Sequence, residues 1–309
     1  MTKLLSVIIP SYNEQPMIHK TASTITGILS AAAIPHELIF VNDGSKDLTW
    51  ERIEEASREY PCVRGINFSR NFGKESAMFA GLSYAKGDCC VLIDCDLQHP
   101  PEKIVEMYHL WEEGYEIIEA VKSSRGEESF LHTLGAAGFY AIISKATGID
   151  MQRASDFKLL DRKAVTVLLN MKEKNAFFRA LSSWIGFKTA QIEFDVQERM
   201  EGESKWSPWA LVKYAVSNIS SFSAAPMQIV TILGIVMFII SVVLGINALY
   251  QKIVGVALGG FTTVILLQLF TGSIIMISLG IIGYYIAKIY EEVKGRPRYI
   301  VAEVCGEEE

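Results

Sequence analysis

CCVLIDCDLQHPP, Cys89 to Pro101, decides how the first half of the chain folds. Its first five residues are apolar without interruption, as in a strand covered on both faces, and a double proline stops the run. Between them stand two carboxylates, Asp94 and Asp96, two residues apart. In extended backbone, residues i and i+2 point to one side, so both carboxylates are expected to project together while Cys95 turns into the core. Like charges so close need a cation. A hard divalent ion such as Mg2+ or Mn2+ prefers oxygen ligands and completes its shell with water and substrate phosphates. That chemistry suits Asp94, Asp96 and the amide oxygen of Gln98. The same spacing also arises by chance on loops, so its setting decides its weight.

The setting is an alternation of strand-like runs with helical patterns: LLSVIIP, ELIFVND, VRGINFS, CCVLIDCD and YEIIEAV, all before about residue 121. Such alternation predicts an α/β fold with a mostly parallel, Rossmann-like sheet covered by helices. Three of the runs end in polar residues, at Pro10–Glu14, Asn42–Ser45 and Asp94–Gln98. These exits should converge on the rim where open α/β sheets bind ligands. There Tyr12 can stack on a ring, Gly44 permits a close backbone approach, and Asp43 can accept hydrogen bonds from a base or ribose. Each loop alone could be a plain turn; three on one rim favour a nucleotide. Residues 130–195, with the strand-like QIEFDV, are expected to complete the site.

The 309 residues are half hydrophobic, with a mean hydropathy of +0.24, too apolar for an ordinary soluble enzyme. No charge occurs from Pro226 to Tyr250 or from Ile253 to Ala287. Each stretch exceeds the roughly 20 apolar residues that span a bilayer, which predicts two transmembrane helices. Before them, SPWALVKYAVSNISSFSAAP spaces Trp209, Val212, Ala215 and Val216 as an amphipathic interface helix would. A plain connector helix is the alternative. Lys288, Lys294, Arg296 and Arg298 follow the second span, whereas the short connection offers only Lys252. By the positive-inside rule the soluble part and both termini are expected in the cytoplasm, which predicts a multi-pass protein of the cell membrane. The expected division is a cytoplasmic α/β domain over 1–206, an amphipathic juxtamembrane helix over 207–225, a two-helix membrane region over 226–290 and a cytoplasmic tail over 291–309. The net charge of −6 and a pI near 5.5 argue against a nucleic-acid partner. Cys62, Cys89, Cys90, Cys95 and Cys305 lack metal-site spacing and read as reduced apolar fillers.

PSYNE, VNDGSKDLT, NFGKESA, DCDLQHPPE, SDFKLLDR and RMEGESK, in this order and followed by two spans, resemble the polyprenyl-phosphate glycosyltransferases of the dolichyl-phosphate mannose synthase type. The bacterial undecaprenyl-phosphate glucosyltransferase branch is the most similar, over nearly the whole chain. The resemblance implies a GT-A fold, a nucleotide-sugar donor, a polyprenyl phosphate acceptor, a Mg2+ or Mn2+ ion and inversion at the anomeric carbon. It assigns Pro10, Tyr12, Glu14 and Asp43 to the nucleoside, Asp94 to the donor side, Asp96 and Gln98 to the metal, and Asp156 to the catalytic aspartate. Arg199, Ser204 and Lys205 would hold the acceptor phosphate, and a local cationic pair in an otherwise acidic protein suits that task. Snorkelling interface charge is the alternative for Arg199 and Lys205. SFLHTLG departs from the family in carrying His132 and Thr133 where basic residues often follow; Lys122 and Arg125 lie just upstream. His99 and His132 read as ordinary polar positions.

Glucose from UDP-glucose is the expected donor group; UDP-N-acetylglucosamine, another UDP-sugar or GDP-mannose would need the same metal. A processive synthase is disfavoured by two spans and no QxxRW-type segment. A non-catalytic, membrane-anchored nucleotide-sugar sensor is the alternative from another class. Two spans also leave helix faces through which a homo-oligomer could pack.

Overall fold

The computed structural model describes residues 3–122, 155–171, 178–195, 225–255 and 260–306. The apolar runs form strands β1 (Leu5–Ser11), β2 (His36–Asn42), β3 (Val63–Phe68), β4 (Cys89–Leu92) and β5 (Ile117–Lys122). Helices α1 (Ile18–Ala31), α2 (Thr49–Glu59), α3 (Lys74–Tyr84) and α4 (Lys103–Glu112) connect them. There follow β6 (Lys158–Asp161), α5 (Arg162–Asn170), α6 (Phe178–Trp184) and β7 (Thr189–Phe194).

One eight-stranded sheet has the order β7-β5-β6-β4-β1-β2-β3-β8, its last strand β8 (Val301–Cys305) coming from the far end of the chain. β4, β1, β2 and β3 run parallel, and β6 is antiparallel to both β4 and β5. Leu5, Val7, Ile8 and Ile9 are fully buried because helices cover both faces of β1. Ile18, Ala22, Ile25 and Leu29, at helical spacing, join α1 to the core on the Val7 and Ile9 side. On the other side Gly81 of α3 lies against Ile8, so close that a Cβ there would collide with it. β1 leads to β2 in one direction while β4 lies on its opposite flank, which puts the topological switch point between β1 and β4.

Two strands depart from the apolar-run pattern. β6 has four residues, and its Lys158 is fully buried with Nζ 2.6 Å from Glu119 Oε1 and 2.8 Å from Ser182 Oγ. The expected tail contains β8, which pairs antiparallel with β3. Tyr299 stacks on Phe68 at 5.1 Å between ring centroids, and Ser69 N–H donates to Ile300 O. The five cysteines are free; burial pushes Cys90 and Cys95 up to about 12, which keeps them as inert thiols.

The chain divides into two compact units, Met1–Ser207 with Pro297–Glu309, and Pro208–Arg296. The second holds helices α7 (Ala225–Ile253) and α8 (Phe261–Val293). Val230–Ile253 and Leu267–Val293 have hydropathies of 2.7 and 1.8 and are long and apolar enough to cross a membrane. Phe238 and Met276 are each 69% exposed, as lipid-facing side chains would be. The juxtamembrane helix expected before α7 lies outside the described residues, apart from Ala225 at the start of α7.

Candidate active site

Loops leaving the carboxyl ends of β1, β2 and β4 wall one cavity of about 320 Å3 beside the switch point. Pro10, Tyr12 and Glu14 come from the first loop, Asp43 from the second, and Asp94 and Asp96 from the third. The segment entering α3 adds Asn71, Gly73 and Lys74. Arg199, Ser204 and Lys205 lie outside the described residues, as do Arg125, His132 and Thr133.

Asp94 and Asp96 reach the cavity differently from the extended strand expected of them. β4 ends at Leu92, and a turn carries the chain through Cys95 and Asp96. Leu97 stands just beyond at φ 55, left-handed backbone that costs a bulky residue about 1–2 kcal/mol. Its buried side chain offsets that strain. Gln98 N–H donates to Asp96 Oδ1 at 3.1 Å and closes the loop. Asp94 and Asp96 thus offer carboxylate oxygens to one open cavity, a donor set that fits a hard divalent ion whose other ligands are water and phosphate. Among the described residues, no third Asp, Glu, His or Cys joins them in a metal-holding group. His99 differs from an ordinary polar position. It is buried, stacked on Phe157 at 5.2 Å, and burial lowers its pKa.

Asp43 builds the wall as well as facing the cavity. Its Oδ1 accepts from Phe72 N–H at 2.6 Å and its Oδ2 from Gly73 N–H at 2.9 Å. Burial raises its pKa, and those two amides oppose the rise. Gly44, at φ 62, makes its close approach to Arg70 and Asn71 of the same loop, where a Cβ would collide with backbone. Tyr12 is 43% exposed, which leaves its ring open on the rim.

Asp156 lies just before β6, 8% exposed. Arg179 of α6 grips it in a fork, Nε to Oδ1 at 2.6 Å and Nη2 to Oδ2 at 2.9 Å. Lys74 Nζ donates to Asp156 Oδ2 at 2.9 Å and lies 2.6 Å from Asp94 Oδ1. Burial would raise the Asp156 pKa, but Lys74 and Arg179 outweigh it and hold the carboxyl well below the usual range. Burial likewise opposes charge on Lys74, yet Asp94 and Asp156 keep its ammonium above its usual range. Glu75, next in sequence, accepts Phe178 N–H at 2.9 Å, and loss of solvent pushes it up to about 7. The sequence alone assigns no role to Lys74, Glu75 or Arg179. NFGKESA was a visible signal for the first two; a lone cation in NAFFRALSS was none.

A mostly parallel sheet with a carboxylate-walled crevice at its switch point is the GT-A arrangement, and the family match over residues 6–167 makes this chain a glycosyltransferase. Residues 6–167 match the family Glycosyl transferase family 2, and the chain belongs to it. It is 40% identical to the uncharacterized glycosyltransferase YkcC of Bacillus subtilis (strain 168), over 97% of this chain and 94% of that one. It is 35% identical to the prophage bactoprenol glucosyl transferase homolog of Escherichia coli (strain K12), over 97% and 99%. To the SfII prophage-derived bactoprenol glucosyl transferase of Shigella flexneri it is 34% identical, over 96% and 97%.

Proposed function

We propose that this glycosyltransferase moves glucose from UDP-glucose to undecaprenyl phosphate on the cytoplasmic leaflet, inverting the anomeric carbon. The observation that carries the reading is the cavity shared by Asp94, Asp96 and the rim residues Pro10, Tyr12, Glu14 and Asp43. Near-full-length similarity to bactoprenol glucosyl transferases supports the acceptor and the sugar.

Tyr12 offers its exposed ring to the base, while Glu14 and Asp43 offer acceptor oxygens to base or ribose. Asp94, Asp96 and Gln98 would hold Mg2+ or Mn2+, which when bound supplies charge neutralisation for the departing diphosphate. The acceptor needs little help to become a nucleophile. A phosphate monoester, with a second pKa of about 6, is already largely a dianion at pH 7. Its oxygen bonds to the anomeric carbon from the face opposite the diphosphate. The bond from that carbon to the β-phosphate oxygen breaks, and UDP leaves with the electron pair. Asp156, gripped by Arg179 and Lys74, serves as a fixed anion that orients groups around the reacting centre. Arg199, Ser204 and Lys205 are proposed to bind the acceptor phosphate with charge-assisted hydrogen bonds.

Strand pairing supports this topology. β8 joins the sheet of β1–β3, so the segments before α7 and after α8 share one side of any membrane the hairpin crosses. Lys288, Lys294, Arg296 and Arg298 favour the cytoplasmic side.

Inside-out membrane vesicles given labelled UDP-glucose, Mg2+ and undecaprenyl phosphate should form an organic-extractable labelled lipid. EDTA or Asp96→Ala should reduce it by at least about 100-fold. A labelled lipid formed only from another nucleotide sugar contradicts the glucose assignment. Undiminished synthesis in EDTA contradicts the metal, and synthesis confined to right-side-out vesicles contradicts the topology.

A further inference from the structure

Lys74 is shared by two carboxylates that belong to different parts of the fold. Asp94 follows β4 and lines the cavity; Asp156 precedes β6 and is buried behind it. One ammonium reaches both, at 2.6 Å and 2.9 Å, so it fixes their separation to within two hydrogen-bond lengths. The buried pairs Lys158–Glu119 and Arg64–Glu37 each join one cation to one carboxylate, and neither lines the cavity. The Lys74 side chain is instead 43% exposed and forms part of the cavity wall.

The rest of the hold on Asp156 is organised from the same turn of α3. Glu75 accepts the amide of Phe178, the first residue of α6, and the next residue on that helix is Arg179. The guanidinium fork then occupies both Asp156 oxygens. Two consecutive residues, Lys74 and Glu75, thus set the cation that Asp156 shares with Asp94 and the start of the helix that delivers Arg179. With three nitrogen donors on it, Asp156 has its orientation determined on both oxygens.

We propose that Lys74 is a positioning residue for sugar transfer: by bridging Asp94 and Asp156, it holds the donor-side carboxylate in register with the anion that orients the reacting groups. The proposal rests on the glycosyl-transfer reading above and adds a residue to it. It requires that Lys74 act through Asp156. Removing the ammonium should therefore cost much of what removing the Asp156 charge costs, and removing both should cost little more.

The test uses the full-length protein in lipid nanodiscs and compares Lys74→Met, Lys74→Arg, Asp156→Asn and the Lys74→Met/Asp156→Asn pair. Lys74→Met is expected to lower kcat about 100-fold, the scale of losing one charged hydrogen bond at a reacting centre. Lys74→Arg, which can span the same two carboxylates, should recover at least about tenfold of that loss. The double variant should fall within about threefold of the slower single one. The proposal is overturned if Lys74→Met keeps kcat within about threefold of wild type, if Lys74→Arg recovers nothing, or if the double variant loses the product of the two single losses. Thermal melts of the same four proteins, read without substrate, separate this claim from the functional one. If wild type transfers no sugar from any nucleotide donor, the functional reading fails. Non-additive melting shifts then still support the bridge, and additive shifts overturn it.

Discussion

Glu75 and Asp156 are carboxyls near the same two cations, Lys74 and Arg179, and their surroundings drive them in opposite directions. Desolvation, then the Asp156 charge, pushes Glu75 from 4.5 up to about 7; Lys74 and Arg179 hold Asp156 below the carboxylate range. Between about pH 4.5 and 7 the unfolded chain gives up the Glu75 proton that the folded chain keeps, so this residue's contribution falls as pH rises through that window. Glu75→Gln keeps an acceptor for Phe178 N–H and carries no charge. Its melting temperature should gain on wild type from pH 5 to pH 8; a constant difference would refute the shift. At this scale the sequence was legible where chemistry is local. The pair Asp94 and Asp96 and the polar exits at Tyr12, Glu14 and Asp43 pointed to residues that line one cavity, although a turn and not an extended strand presents the two aspartates. Arg179 was illegible because its partner Asp156 is brought to it only by the packing of α6.

Among the elements, β1, β2 and β4 were readable as apolar runs because burial on both faces leaves that trace in sequence, and β3 and β5 as strand-like runs between helical patterns. β6 hid behind Lys158, whose burial depends on Glu119 from a neighbouring strand and Ser182 from α6. β8 hid because VAEVC finds its partner, β3, more than 200 residues earlier in the chain, where only tertiary structure can show the pairing. That late strand covers what would otherwise be an open sheet edge. Tyr299 secures its entry by stacking on Phe68 and by a 2.9 Å hydrogen bond with Ser83 Oγ. Tyr299→Ala should cost about 2 kcal/mol, from the lost ring contact and hydroxyl bond. Amide exchange across Val63–Phe68 should quicken as β8 frays. Unchanged exchange there would show that β8 is held independently of Tyr299.

At the scale of the molecule, the chain leaves the catalytic unit, makes two helices fit to span a bilayer, and returns to add a strand to the sheet it left. Both ends of the hairpin are therefore tied to one folded body. In the proposed function, the cavity of Asp94 and Asp96 passes a sugar, with inversion, to a polyprenyl phosphate. NMR of the lipid product formed from UDP-α-glucose tests it most directly. A β-linked glucosyl phosphate is predicted. An α-linked product, or label that stays in water-soluble glucose or UDP-glucose while the folded protein binds UDP, would contradict it.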